Sequence, residues 1–293
     1  MPDRDLGDIA EWCDGRLTLH DSTQGVFTVR AVVSSALGLP LDQVRVVAEY
    51  TGGGFGSKGY VWTHQIIAAM IAKALGCAVR LMLTRAQSFT SHGYQPPTRQ
   101  AVTLAAGADG GLLAIRHESL SATATYGEYV EMAAKGSRVL YACPSIETRH
   151  RVAAIATILP TPMRAPHEGP GMFALESAMD ELAYELGMDP LELRLRNHAE
   201  TDPTTGRSSP SKELLACYQE GARRFGWQGR PMAVRSMRDG DDLVGWGMAS
   251  AVMTAGFLPA SARVRVDADG SVVIEAGCQE IGTGVRHAVA YDK

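Results

Sequence analysis

Residues 51–58 read Thr-Gly-Gly-Gly-Phe-Gly-Ser-Lys. They lie between a strand-like run at 44–50 and a helix-like apolar run at 61–75. Glycines packed this densely let a backbone come close to a group that side chains would fend off. A helix beginning after them would offer free N–H groups to an anion. The stretch therefore predicts a strand–loop–helix unit built around something bulky and negatively charged. Three readings stand at this point. One is a tight turn with no ligand. A phosphate loop of the Walker type needs Gly directly before Lys58 and Ser or Thr after it; Ser57 and Gly59 stand there instead, so that reading fails. A dinucleotide fingerprint fits literally, with Gly54, Gly56 and Gly59 as G-x-G-x-x-G. The next predicted strand, at 78–84, ends in Arg85 and not in an acid, which is the NADP form of that motif.

Working outward, 17–19 reads as a strand and 26–37 as a helix closed by Gly38. Two hairpins with Asp-Gly turns follow, one at 101–120 around Asp109-Gly110 and one at 262–276 around Asp269-Gly270. The clearest helices are 172–186 and 190–197. In the first, Phe173, Leu175, Met179, Leu182, Ala183 and Leu186 make an apolar stripe. Glu176, Asp180, Glu181 and Glu185 fall opposite it and read as a solvated face. Gly187 suits a left-handed helix end, and Asp189-Pro190 cap the next helix. Residues 201–212 are the most linker-like stretch, with a short helix at 213–225.

The chain has 293 residues, enough for two ordinary domains. At 45% hydrophobic and 20% charged residues, its composition is that of a globular protein. A net charge of −4 gives no support to a nucleic-acid or anionic-membrane partner. No apolar run approaches the roughly 20 residues of a membrane span, and the N-terminus lacks the basic-then-apolar plan of a signal peptide. The five cysteines are widely scattered with no C-x-x-C, which argues against a cluster or structural zinc and for free thiols in a reducing compartment or buried small apolar residues. The eight histidines show no H-x-x-x-H pair, so any metal would arrive inside a cofactor.

Two further motifs give the loop a family. One is Thr-Pro-Met-Arg-Ala-Pro-His-Glu-Gly-Pro-Gly at 161–171, followed by Phe-Ala-Leu-Glu-Ser-Ala-Met-Asp-Glu-Leu-Ala at 173–183. The other is Gly-Cys-Gln-Glu-Ile-Gly-Thr-Gly at 277–284. With Ser-Thr-Gln at 22–24 and the Gly-rich loop, their order and spacing resemble the large subunit of the xanthine dehydrogenase/aldehyde oxidase family, across essentially the whole chain. The likeness runs to the periplasmic aldehyde oxidoreductase branch of these molybdenum hydroxylases. The resemblance implies an α+β fold: a first molybdopterin-binding domain over 1–205, a linker and short helix at 206–224, and the start of a second such domain over 225–293.

It also implies function. The expected reaction is oxidative hydroxylation, an aldehyde going to its carboxylic acid or an N-heterocycle being hydroxylated, with water as the oxygen source. The expected cofactor is molybdopterin cytosine dinucleotide, with 2Fe-2S and FAD on partner subunits. Cofactor-binding positions carried over are Gln24, Gly54, Phe55, Gly56, Arg164, Ala165, Gln279, Gly282, Thr283 and Gly284. Gln24 would donate to a ligand oxygen on the metal, Arg164 would position substrate, and the glycines would admit main-chain N–H groups to head and tail. His167 stands where many relatives have Gly. Gly59 stands where purine-oxidising relatives carry a substrate-binding glutamate, and Pro166 where they carry an aromatic, which disfavours xanthine. No carboxylate here matches the family's glutamate base; Glu168 and Glu280 merely adjoin motifs. The resemblance thus describes a central fragment, catalytically silent alone and dependent on the rest of the large subunit, an iron–sulfur subunit and a FAD subunit. A cytoplasmic location is expected, or a periplasmic one by co-export with a signal-bearing partner. An NADP-dependent oxidoreductase and a non-catalytic split-gene half are the competing expectations.

Overall fold

The computed structural model describes residues 7–208, 211–253 and 259–291. The N-terminal residues 1–6 and positions 209–210 of the linker-like stretch lie outside these. The chain forms two compact units that interleave along the sequence. One takes Met1–Gln95, Ile158–Arg164 and Gly256–Lys293; the other takes Pro96–Thr157 and Ala165–Ala255.

The first unit is built on a four-stranded sheet of β1 (Gly7–Cys13), β2 (Arg16–Asp21), β3 (Val44–Val47) and β4 (Val79–Met82), in the order β3-β2-β1-β4. Strands β1 and β2 make a tight hairpin whose Asp14 and Gly15 both take positive φ. Helix α1 (Val26–Leu37) carries the chain from β2 to a parallel β3, while β4 joins β1 antiparallel. Helix α2 (Thr63–Leu75) leads into β4 and a short α3 (Arg85–Ser91) follows it. Ala10, Leu17, Leu19, Val29, Val33, Val44, Ala68, Ala69 and Ala72 close the core between sheet and helices. The sheet is mixed, and residues 48–62 intervene between β3 and α2. That is not the parallel βαβ unit a dinucleotide fingerprint requires. The exposed hairpin of Ala262–Val266 and Val272–Ala276 also belongs to this unit.

The second unit carries a three-stranded sheet of β5 (Thr98–Ala106), β6 (Leu112–Ala124) and β7 (Ile146–Ile155), antiparallel then parallel. Helix α4 (Glu168–Glu185) packs on β5 and on the 3-10 turn Ala133–Arg138. The approach is so close that a Cβ on Gly171 would collide with the Ala133 carbonyl oxygen. Gly187 takes the left-handed conformation after α4, and the Asp189 side chain caps α5 (Pro190–Arg196) through the Leu191 and Glu192 N–H groups. Helix α6 (Leu214–Phe225) follows, held by the buried Tyr218 and Trp227.

The α4 stripe is narrower than the sequence suggests: Leu175, Met179 and Ala183 are buried while Phe173 is exposed. The solvated-face reading fails for Glu176. Its carboxylate is buried, accepting from Tyr141 Oη at 2.5 Å, Arg194 Nε at 2.9 Å and the Ser250 N–H at 2.6 Å. Arg194 also donates to Asp180 at 2.7 Å, so a fully buried arginine turns two "surface" acids inward. Burial and the neighbouring Glu176 charge push the Tyr141 hydroxyl well above its ordinary range, so it stays a donor.

Candidate cofactor-binding site

The Gly-rich loop and residues 21–25 interlock. Gln24 donates its backbone N–H to the Lys58 carbonyl at 2.8 Å, and Thr23 Oγ1 donates to the same oxygen at 3.3 Å. Thr51 Oγ1 donates to the Thr23 carbonyl at 3.0 Å. Across the mouth of the loop Lys58 Nζ donates to the Thr51 carbonyl at 2.6 Å, and Trp62 Nε1 holds the Ser57 carbonyl at 2.7 Å. Thr23, Thr51, Ser57 and Lys58 are all buried. Gly56 completes the weave by donating its N–H to Gln24 Oε1 at 3.2 Å.

A third segment closes on the loop. Arg164 donates its backbone N–H to the Phe55 carbonyl at 3.1 Å, and its guanidinium lies 4.8 Å above the Phe55 ring. Gly56 takes φ 95°, a conformation L-residues rarely adopt, and its missing Cβ makes room for the Pro162–Met163 backbone. The bare face of Gly54 is covered by the Gln24 side chain. Gln24, Gly54, Phe55, Gly56 and Arg164 are thereby brought together within the first unit. The helix plays a smaller part than the sequence suggests, since the first-turn end of α2 is closed by Gln65 Oε1 accepting from the Trp62 N–H at 2.6 Å.

Gln279, Gly282, Thr283 and Gly284 form a second group in this unit. It is anchored by Gly277 against the Phe27 ring and by Arg286 donating to the Glu49 carbonyl at 3.1 Å. Glu280 Oε1 accepts from the Gly282 N–H at 2.6 Å and the Gly284 N–H at 3.0 Å, which holds its carboxyl below the usual range. Ala165 falls in the second unit. Its φ of 52° is left-handed, and its carbonyl accepts from the Gly169 N–H at 2.8 Å in the first turn of α4.

One feature of the site was missed in the sequence, and one residue singled out there, His167 of the second unit, has its own local geometry. Lys58 was weighed only against a phosphate loop, yet it is the clip that closes the glycines. His167 centres a γ-turn, φ 71° and ψ −61°, with Glu168 N–H donating to the Pro166 carbonyl at 2.8 Å. Such a positive φ is a conformation that glycine adopts readily and a residue with a side chain rarely does. Here the buried Glu131 carboxylate holds the residue, accepting from the His167 backbone N–H and lying 3.0 Å from its Nδ1.

The donor set fits an oxygen-rich cofactor head. Gln24 Oε1 is engaged by Gly56, which leaves the Nε2 amide as a donor without a partner among the described residues. Ser22 Oγ, two residues away, is buried and equally unpartnered. Around Gly282 and Gly284, both at positive φ, a Cβ would meet nothing, so the backbone there lies open to a ligand.

A mixed-sheet unit in which the Gly-rich loop, Gln24 and Arg164 lie together defines a candidate cofactor-binding domain. Molybdopterin cofactor-binding domain profiles match residues 7–198 and 220–291. The chain belongs to the molybdopterin cofactor-binding domain family, and with it to the molybdenum-binding subunits of the xanthine dehydrogenase/aldehyde oxidase family. It is 35% identical to the aldehyde oxidoreductase molybdenum-binding subunit PaoC of Escherichia coli (strain K12) over 94% of this chain. It is 32% identical to the xanthine dehydrogenase molybdenum-binding subunit of Escherichia coli O157:H7 over 92% of this chain. The chain spans 38% of the length of each of these relatives. Its structure resembles that of the aldehyde oxidoreductase from Desulfovibrio gigas with a TM-score of 0.75 at 26% identity, covering 94% of this chain and 31% of that one. The likeness bears out the α+β fold.

Proposed function

We propose that this chain forms the cofactor-binding part of a molybdenum hydroxylase large subunit that oxidises aldehydes to carboxylic acids. The reading rests on the convergence of Gln24, Gly54–Gly56 and Arg164, together with the likeness to aldehyde oxidoreductase subunits. When bound, the molybdopterin supplies the redox chemistry by which oxygen from water enters the substrate. The chain's own residues hold and orient. Gln24 Nε2 and Ser22 Oγ would serve as donors to the head, and residues 279–284 would hold the pterin and phosphates if Glu280 released the Gly282 and Gly284 N–H groups. Arg164 places its guanidinium over the Phe55 face, where it would orient the carbonyl and stabilise negative charge developing on its oxygen. None of the carboxylates at these motifs is assigned as base, since Glu280 faces backbone N–H groups and Glu168 pairs with Lys135 at 3.5 Å.

In the same proposal the cofactor is the cytosine dinucleotide, residues 1–205 and 225–293 contribute to successive cofactor-binding domains, and electrons leave through 2Fe-2S and FAD subunits. Assembly takes place in the cytoplasm, where five free cysteines are stable, with co-export to the periplasm as the alternative. The test is turnover of aromatic aldehydes, in water enriched in heavy oxygen, by the intact multisubunit protein with an artificial electron acceptor. Label should enter the acid, and Arg164→Ala should lower kcat/KM at least 100-fold while metal content is kept. Turnover of purines with no turnover of aldehydes would overturn the substrate assignment.

A further inference from the structure

Beneath the Gly-rich loop lie more buried charges than the weave needs. Asp8 on β1 and Asp21 on β2 are directly opposite each other in the antiparallel register. Both are buried, and residues directly opposite in an antiparallel pair carry their side chains on the same face. Neither Asp8 oxygen finds a donor among the described residues. Asp21 is better served, accepting from Gln65 Nε2 at 2.7 Å and sitting in the field of the Lys58 ammonium. His64 Nε2 lies 3.4 Å from Asp8 Oδ2, and His92 packs edge-on against His64 at 5.4 Å. Burial keeps both rings neutral, with values pulled down to about 4. Among the described residues the titratable groups facing the pair are Lys58, His64 and His92, and of these Lys58 is the cation at neutral pH.

Among the described residues, two buried carboxylates face one cation here. Two ionised carboxylates facing each other repel strongly, and a pair so placed keeps one proton between them. We propose that Asp8 is a positioning residue for the Gly-rich loop. It holds a proton against Asp21, so that Asp21 keeps the single negative charge that retains the Lys58 ammonium across the loop mouth. Loss of that proton places a second negative charge beside Lys58, draws the ammonium away from the Thr51 carbonyl and loosens the 51–58 weave on Gln24. Burial, with the Asp21 charge next, raises Asp8 to about 9, which sets the alkaline limit of a closed loop.

The experiment reads the proton and the loop directly, so it stands apart from whether the loop carries a pterin. Infrared difference spectra of the full chain, with and without carbon-13 aspartate, should show one protonated carboxyl band at pH 7 that vanishes above about pH 9. The band should persist to higher pH in Lys58→Met and be absent in Asp8→Asn. A wild-type chain with no such band at pH 7 overturns the proposal. Asp8→Asn keeps a donor toward Asp21 and has no proton to lose. Its folding constant relative to wild type should rise about tenfold per pH unit between pH 5 and 9, and parallel curves would contradict the shared proton. Amide exchange at Gln24 and Gly56, corrected for intrinsic base catalysis, should accelerate at least tenfold above pH 9 in wild type and not in Asp8→Asn. Equal protection in both would show that the proton does not position the loop.

Discussion

Replacing Gly56 by Ala probes the point where the loop meets the segment bearing Arg164. The new Cβ would run into the Pro162 carbonyl oxygen and lie 2.9 Å from Met163 Cα, so backbone must move. It would also hold an L-residue at φ 95°, a strain of about 1–2 kcal/mol or more. Overpacking against backbone adds about 1–3 kcal/mol. The sum, about 2–5 kcal/mol, corresponds to a fall in melting temperature of roughly 10 °C. Gly38 supplies the control within the same unit. It also has positive φ, 64°, but a Cβ there would meet nothing, so Gly38→Ala should carry only the conformational strain, about 1 kcal/mol and a few degrees. Calorimetry of both variants beside wild type, followed by limited proteolysis of residues 51–58 and 158–164, separates the two contributions. If Gly56→Ala melts no lower than Gly38→Ala, the loop and the 162–164 segment are not in the contact described, and the placement of Arg164 falls with it.

Other perturbations carry defined outcomes. Lys58→Met leaves Asp21 without its buried counter-charge and the Thr51 carbonyl without its donor; a loss of about 3 kcal/mol in urea denaturation is expected, and a loss below 1 kcal/mol would make the clip incidental. In the second unit, Arg194→Met strips the buried Glu176 of its partner and should cost about 3–5 kcal/mol, with Glu176→Gln in the same background recovering part of it. His64, His92 and His117 are held neutral by burial, each pulled down to about 4. Their stabilisation is present above the unfolded value near 6.5 and is lost as pH falls towards 4. Against the opposing proton of Asp8, unfolding near pH 5 should take up about two protons, measurable as the slope of stability with pH. A flat profile between pH 6.5 and 4.5 would mean that these rings are hydrated or charged.

Local signals in the sequence were strong wherever chain chemistry alone decides the conformation. The Asp-Gly hairpins, the left-handed Gly38 and Gly187 and the Asp189-Pro190 cap all stand where their residue types place them. Strands β1 and β7 were not legible. In β1 polar Asp8 and Glu11 interrupt the pattern, and in β7 the charged Glu147, Arg149 and Arg151 alternate with His150 and Thr148 rather than with a run of aliphatics. Partners distant in sequence decided the rest. Glu176 reads as surface until Arg194 and Tyr141 arrive from elsewhere, and Lys58 reads as a failed phosphate loop until Asp21 and Thr51 enclose it. His167 stood out in the sequence as a departure, but its partner Glu131, 36 residues away, was not legible there.

The central claim is that Gln24, Gly54–Gly56, Arg164 and residues 279–284 hold a molybdopterin dinucleotide. Its most direct test is elemental and nucleotide analysis of the intact protein purified under native conditions. The account predicts molybdenum close to one atom per large subunit, with acid hydrolysis releasing cytidine monophosphate in equal amount. Protein free of molybdenum and carrying NADP would contradict it.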